Sequence, residues 1–120
     1  MSFKTIYNMS RNSSLYLLDI LDAGQAIQSY VEGYNYEDFA VDRKTLDAVV
    51  RCFEVIGEAV KHLPEEWKAE HLEIPWHAIA AFRNILAHAY FNIDASIVWT
   101  SLQRDLEPLL KACAQLEREK

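Results

Sequence analysis

Apolar residues recur three and four positions apart in four stretches of this 120-residue chain, with short polar connectors between them. Leu17, Ile20, Leu21, Gly24, Ile27 and Val31 form the first stripe; Leu46, Val49, Val50, Phe53, Ile56, Gly57 and Val60 form the second. Trp76, Ile79, Ala80, Phe82 and Leu86 form the third; Val98, Leu102, Leu106, Leu109, Cys113 and Leu116 form the fourth. This spacing gathers the apolar side chains on one face of a helix. No stretch alternates as a strand would, and there is no repeat or low-complexity segment. The pattern predicts an all-α fold, an antiparallel four-helix bundle with short additional helical segments.

The punctuation agrees. Ser13, with Ser10 and Asn12 beside it, can cap the first helix, and Asp42 and Asp94 can cap the second and fourth. Gly33 reads as the first stop and Leu63-Pro64 as the second. Residues 34–39 form a connector with room for one helical turn. Pro64 opens a short helical piece and Pro75 opens the third helix. Pro108 is expected to kink or restart the fourth. Gly57 marks either a close helix crossing or a tolerated glycine. Residues 1–12 read as a weakly ordered extension and residues 13–120 as one bundle domain.

Composition narrows the function. An apolar fraction of 51% supplies a core, and three Gly and three Pro imply few, short loops. A net charge of −6 and a pI near 5.1 argue against a broad basic surface for nucleic acid, yet leave room for a small site with one or two cations. The apolar runs fall short of a membrane span, and the start Met1-Ser2-Phe3-Lys4 lacks the apolar core of a signal peptide, so a soluble, cytoplasmic protein is expected. Cys52 and Cys113 sit at core-type positions without zinc-ligand spacing and read as small buried hydrophobes. His62, His71 and His77 read as surface residues; Trp67, Trp76 and Trp99 read as core or interface anchors.

The candidate chemistry lies in Arg83-Asn84-Ile85-Leu86-Ala87-His88-Ala89-Tyr90. A cation, an amide, an imidazole and a phenol inside an apolar run need partners or a purpose. On a straight helix Tyr90 would share the face of Arg83, whereas His88 would lie about 140° away from it. Either the helix ends near His88 or a second copy completes the site. Arg83 can hold a phosphate oxygen while staying charged, and His88 can give or take a proton near neutral pH. That pairing suits attack of an RNA 2′-hydroxyl on its own phosphate without a metal or other cofactor. The reaction wants both an acid and a base, and a two-fold dimer would bring two His and two Arg to one cleft. Arg51, Glu54 and Glu58 adjoin the second stripe, so one of them could face inward and pair with a cation such as Arg83. The plain structural alternatives are a hydrogen-bonded His88, a core or interface Tyr90 and a helix-capping Asn84.

Arg83 to Tyr90 resembles the R-x4-H-x-Y motif of the HepT-like branch of the HEPN superfamily. Asp42-Arg43-Lys44-Thr45, Ile56-Gly57-Glu58-Ala59, Ile74-Pro75-Trp76 and residues 94–99 resemble further landmarks of that family, in the same order, so the likeness spans about residues 9–117. The resemblance implies a helical bundle that pairs as a homodimer with both motifs facing a shared cleft. It implies a metal-independent ribonuclease with Arg83 and His88 catalytic and Asn84 supporting them. It further implies the toxin of a toxin–antitoxin pair, whose partner, an MntA-type nucleotidyltransferase, transfers AMP onto Tyr90. Phosphate attached there would neutralise Arg83 and fill the cleft. Ala89 stands where many members carry an acidic or polar residue. RNA, with tRNA the first to try, is the expected substrate. The competing expectation is a non-catalytic nucleotide-binding module or regulatory partner of a nucleotidyltransferase. A bland scaffold whose motif only stabilises a dimer is the third.

Overall fold

The computed structural model describes residues 12–89 and 92–120. The helices are α1 (Ser13–Tyr30), α2 (Tyr36–Ala40), α3 (Arg43–Lys61), α4 (Glu65–Ala69), α5 (Trp76–Ala87) and α6 (Ala95–Glu119). No strand occurs among the described residues, so the expected all-α bundle of four principal helices with short extra segments is what forms. No helix among them is long and apolar enough to cross a membrane. The expected extension 1–12 falls, apart from Asn12, outside the described residues.

The caps lie close to where side-chain chemistry predicts them. Asn12, rather than Ser13, accepts the Leu15 N–H and starts α1. Asp42 is the firmest cap: Oδ1 accepts the Thr45 N–H, while Oδ2 accepts the hydroxyls of Tyr34 and Thr45 at 2.6 and 2.7 Å. Asp94 accepts both the N–H and the hydroxyl of Ser96 and opens α6. The first helix ends at Tyr30, earlier than Gly33 suggests, and Gly33 instead takes a left-handed φ of 79° in the turn beyond it. Pro108 lies inside α6, which runs unbroken for 25 residues, so the expected restart does not occur.

α3 is the central element, packed between α1 and α5, while α6 covers α1 and α2. The four apolar stripes meet in one core; Leu17, Ile20, Ile27, Val49, Ile56, Val60, Val98, Cys113 and Leu116 are fully enclosed. Phe53 and Phe82 join α3 to α5 edge to face, with ring centroids 5.5 Å apart. The start of α5 is tied down by the Trp76 indole, whose N–H reaches the carbonyls of Lys68 and His71, both at 3.0 Å. Lys68 is buried; its ammonium donates to the Val60 carbonyl near the C-terminus of α3 and pairs with Glu65. His71 is buried too, beside Glu73, which corrects its reading as a surface residue. Its position follows from the tight turn that leads from α4 into Pro75. His77 is exposed as expected.

Candidate active site

The active-site candidates sit where α5 crosses α3 and then ends. Gly57 makes the crossing possible: a Cβ there would lie 2.8 Å from the Cβ of Arg83. Of the two readings of Gly57, the structure therefore selects the close crossing. One residue on, Glu58 points across the same gap, and its Oε2 lies 3.2 Å from Nε of Arg83. The expectation that one acidic residue on this flank turns toward Arg83 holds, and the residue is Glu58.

Arg83 is thus gripped twice. Glu58 takes Nε, and the Asn84 side-chain oxygen accepts from Nη1 at 3.3 Å. The two Nη2 donors have no protein partner among the described residues. A guanidinium fixed through Nε and one Nη1 hydrogen presents its remaining edge to an anion. The side chain is 43% exposed, so the groove remains open to a ligand.

The helix ends at Ala87 and His88 is its C-cap, with φ −102° and ψ 6°. The helix therefore ends beside His88, which is the first of the two arrangements the 140° separation called for. The ring turns back on its own helix, and Nδ1 lies 2.7 Å from the carbonyl oxygen of Asn84. A carbonyl oxygen only accepts, so Nδ1 carries the hydrogen and Nε2 is the basic nitrogen of the neutral ring. The same carbonyl also accepts the His88 backbone N–H at 3.2 Å. Asn84 therefore serves both partners, through its side chain for Arg83 and through its main chain for His88. Tyr90 lies outside the described residues.

His62 is exposed, as expected of a surface residue, and also joins this cluster. It follows α3, and its Nε2 lies 3.2 Å from Oε1 of Glu58, the carboxylate that holds Arg83. The Tyr16 ring stacks on it with centroids 4.8 Å apart and planes 14° from parallel. The signal available in the sequence was the four-residue spacing from Glu58 to His62. Beside this cluster a groove of about 330 Å³ runs between α1 and α3, lined by Tyr16, Asp19, Arg51, Glu54, Glu58 and Arg83 among others. No group of three or more His, Cys, Asp or Glu side chains among the described residues is arranged to hold a metal ion.

The two thiols stand apart from this chemistry. Cys113 is buried in the core, which pushes its thiol up to about 12. Cys52 is half-buried, and its thiol is raised by burial first and by the nearby Asp22 second.

The family model described as Ribonuclease HepT-like matches residues 20–116. "Probable ribonuclease HepT" of Thermococcus cleftensis is 41% identical over 101 residues, which cover 84% of this chain and 92% of that protein. "Putative RNase TTE0752" of Caldanaerobacter subterraneus subsp. tengcongensis is 38% identical over 88% of this chain and 95% of its own length. The chain also matches, at 34% identity, about half (52%) of "Gamma-glutamylcyclotransferase and putative RNase MJ0434" of Methanocaldococcus jannaschii. No solved structure matches the chain. With the helical bundle, the R-x4-H spacing and a family match across most of its length, the chain belongs to the HepT-like ribonuclease family.

Proposed function

We propose that this HepT-like ribonuclease is a metal-independent endoribonuclease in which Arg83 holds the scissile phosphate and His88 moves the proton. The observation that carries this reading is the double role of Asn84, which orients the guanidinium and the imidazole from one residue. With Nδ1 committed to the Asn84 carbonyl, Nε2 of His88 takes the proton from a ribose 2′-hydroxyl. The 2′-oxygen then bonds to its own phosphorus, and the bond from phosphorus to the 5′-oxygen breaks. The products are a 2′,3′-cyclic phosphate and a 5′-hydroxyl, whose oxygen must receive a proton. Arg83 offsets the charge that builds on the phosphorane oxygens.

One His88 serves as base, and a second proton carrier is needed for the leaving oxygen. A homodimer supplies it as His88 of the other copy, with the two sites facing each other. In this reading the protein is a cytoplasmic toxin, neutralised by an MntA-type nucleotidyltransferase antitoxin that transfers AMP to Tyr90. Tyr90 lies seven positions after Arg83 and two after His88, close enough along the chain for attached phosphate to reach the cation.

The test is cleavage of total tRNA in EDTA, comparing wild type with His88→Ala and Arg83→Ala, after intact mass has established an unmodified Tyr90. Cyclic-phosphate ends from wild type alone are expected, with either variant slower by roughly 100-fold or more. Equal cleavage by the variants overturns the reading. RNA or ATP binding without any product would move the assignment to a nucleotide-binding or regulatory subunit.

A further inference from the structure

We propose that His62 is a positioning residue for Arg83, acting through Glu58. The proposal rests on the ribonuclease reading and adds to it a residue outside the Arg83–Tyr90 motif. The observation is a continuous chain of contacts: Tyr16 stacked on His62, His62 on one oxygen of Glu58, and Arg83 on the other.

A carboxylate oxygen accepts, so His62 Nε2 donates to Oε1 of Glu58. That bond and the Arg83 ion pair use the two oxygens of one planar group. Holding Oε1 therefore fixes the plane in which Oε2 is offered to Nε of Arg83. Without His62, a half-exposed glutamate would sample its rotamers, and the guanidinium would be held for only part of the time.

His62 is itself well placed to act as the anchor. Its backbone N–H caps α3 by bonding to the carbonyls of Ala59 and Val60, and Lys68 fastens the Val60 carbonyl from the other side. Its ring is clamped against Tyr16, so α1 and α3 jointly determine where Nε2 lies.

Stability does not account for the arrangement. The side chains of His62, Glu58 and Arg83 are 43%, 44% and 43% exposed, and pairs this open to water add little to folding. Their consequence is geometric: the direction in which Arg83 presents its Nη donors. Small displacements of such a group lower a reaction rate steeply even when the fold is untouched.

The experiment uses full-length protein and four variants: His62→Ala, His62→Gln, Glu58→Gln and the double variant Glu58→Gln/His62→Ala. Single-turnover cleavage of total tRNA is read together with the Nε–H NMR signal of Arg83. His62→Ala is expected to slow cleavage roughly tenfold and to broaden or move the Arg83 signal, with an unchanged melting temperature. His62→Gln, which can still donate to Oε1, is expected to recover most of the rate. The double variant is expected to be no slower than Glu58→Gln alone, because His62 works only through that carboxylate. An Arg83 signal unchanged by His62→Ala overturns the proposal whatever the activity, and so does a further loss of rate when His62→Ala is added to Glu58→Gln. Wild-type protein that cleaves nothing refutes the ribonuclease reading separately, and the NMR signal still decides whether His62 orients Arg83.

Discussion

A Cβ built on Gly57 would lie 2.8 Å from the Cβ of Arg83 and 3.3 Å from the carbonyl oxygen of Ile79, so α3 and α5 touch backbone to backbone where Arg83 is mounted. Gly57→Ala must push α5 outward by a few tenths of an ångström. Overpacking costs about 1–3 kcal/mol, and the better helix preference of alanine returns about 1 kcal/mol. The net loss of stability is expected to be below about 2 kcal/mol. Activity should fall further than stability, by roughly tenfold or more, because Arg83 moves with the helix. Denaturant unfolding and tRNA cleavage on the same preparation check this; a fully active Gly57→Ala protein would refute the coupling.

Asn84→Ala separates the two services of Asn84. The side-chain contact to Arg83 is lost, while the carbonyl that holds His88 remains, since any residue supplies it. Asn84 is exposed, so stability should change by less than about 0.5 kcal/mol. Cleavage should fall severalfold, well short of the loss expected for His88→Ala. A loss as large as that of His88→Ala would mean that the Asn84 amide itself contacts the substrate.

Asp42 makes folding sensitive to acid. Its carboxyl is held at about 2, below the ordinary 3.8, first by the Tyr34 hydroxyl and then by the hydroxyl and N–H of Thr45. The folded state favours the ionised form, so this contribution is present above the unfolded value and is lost as pH falls from about 4 toward 2. Melting curves between pH 7 and pH 2 are expected to show wild type above Asp42→Asn at neutral pH, with the gap closing across that window. A gap that does not vary with pH would contradict the assignment. Tyr34→Phe removes the largest cause and should narrow the gap.

The thiols report burial directly. Cys113, enclosed and held near 12, should not react with a disulfide reagent at pH 8 until the bundle unfolds. Cys52, half-buried with a raised thiol, should react more slowly than a free cysteine but without global unfolding. Labelling followed by mass spectrometry distinguishes the two. Fast labelling of Cys113 in the native protein would show that the core between α1 and α6 opens easily.

Secondary structure was legible in the sequence because it depends on neighbours along the chain. Asp42 and Asp94 could be read as caps, Pro64 and Pro75 as helix starts, and the stripe from Leu46 to Val60 as a buried face, from spacing and side-chain chemistry alone. The R-x4-H spacing was legible for the same reason, whereas the ribonuclease reading came from the resemblance to the HepT-like family, to which the chain belongs. Where the chain's path bends, local rules said less. Pro108 could have restarted α6, but packing carries the helix through it.

What only the tertiary structure decided is how the polar groups meet. Glu58 and Arg83 are 25 positions apart, and their pairing depends on α3 and α5 crossing at Gly57. His62 is the exposed histidine it was expected to be, but its contacts with Tyr16 from α1 and Glu58 from α3 appear only in the packed structure. His71 was also expected at the surface and is instead buried by the turn that leads into α5. Helical periodicity acts over a few residues and can be counted along the chain, whereas the direction of a side chain in the site is set by which helices cross and how closely. That is a property of the packed core as a whole, and no window of sequence contains it.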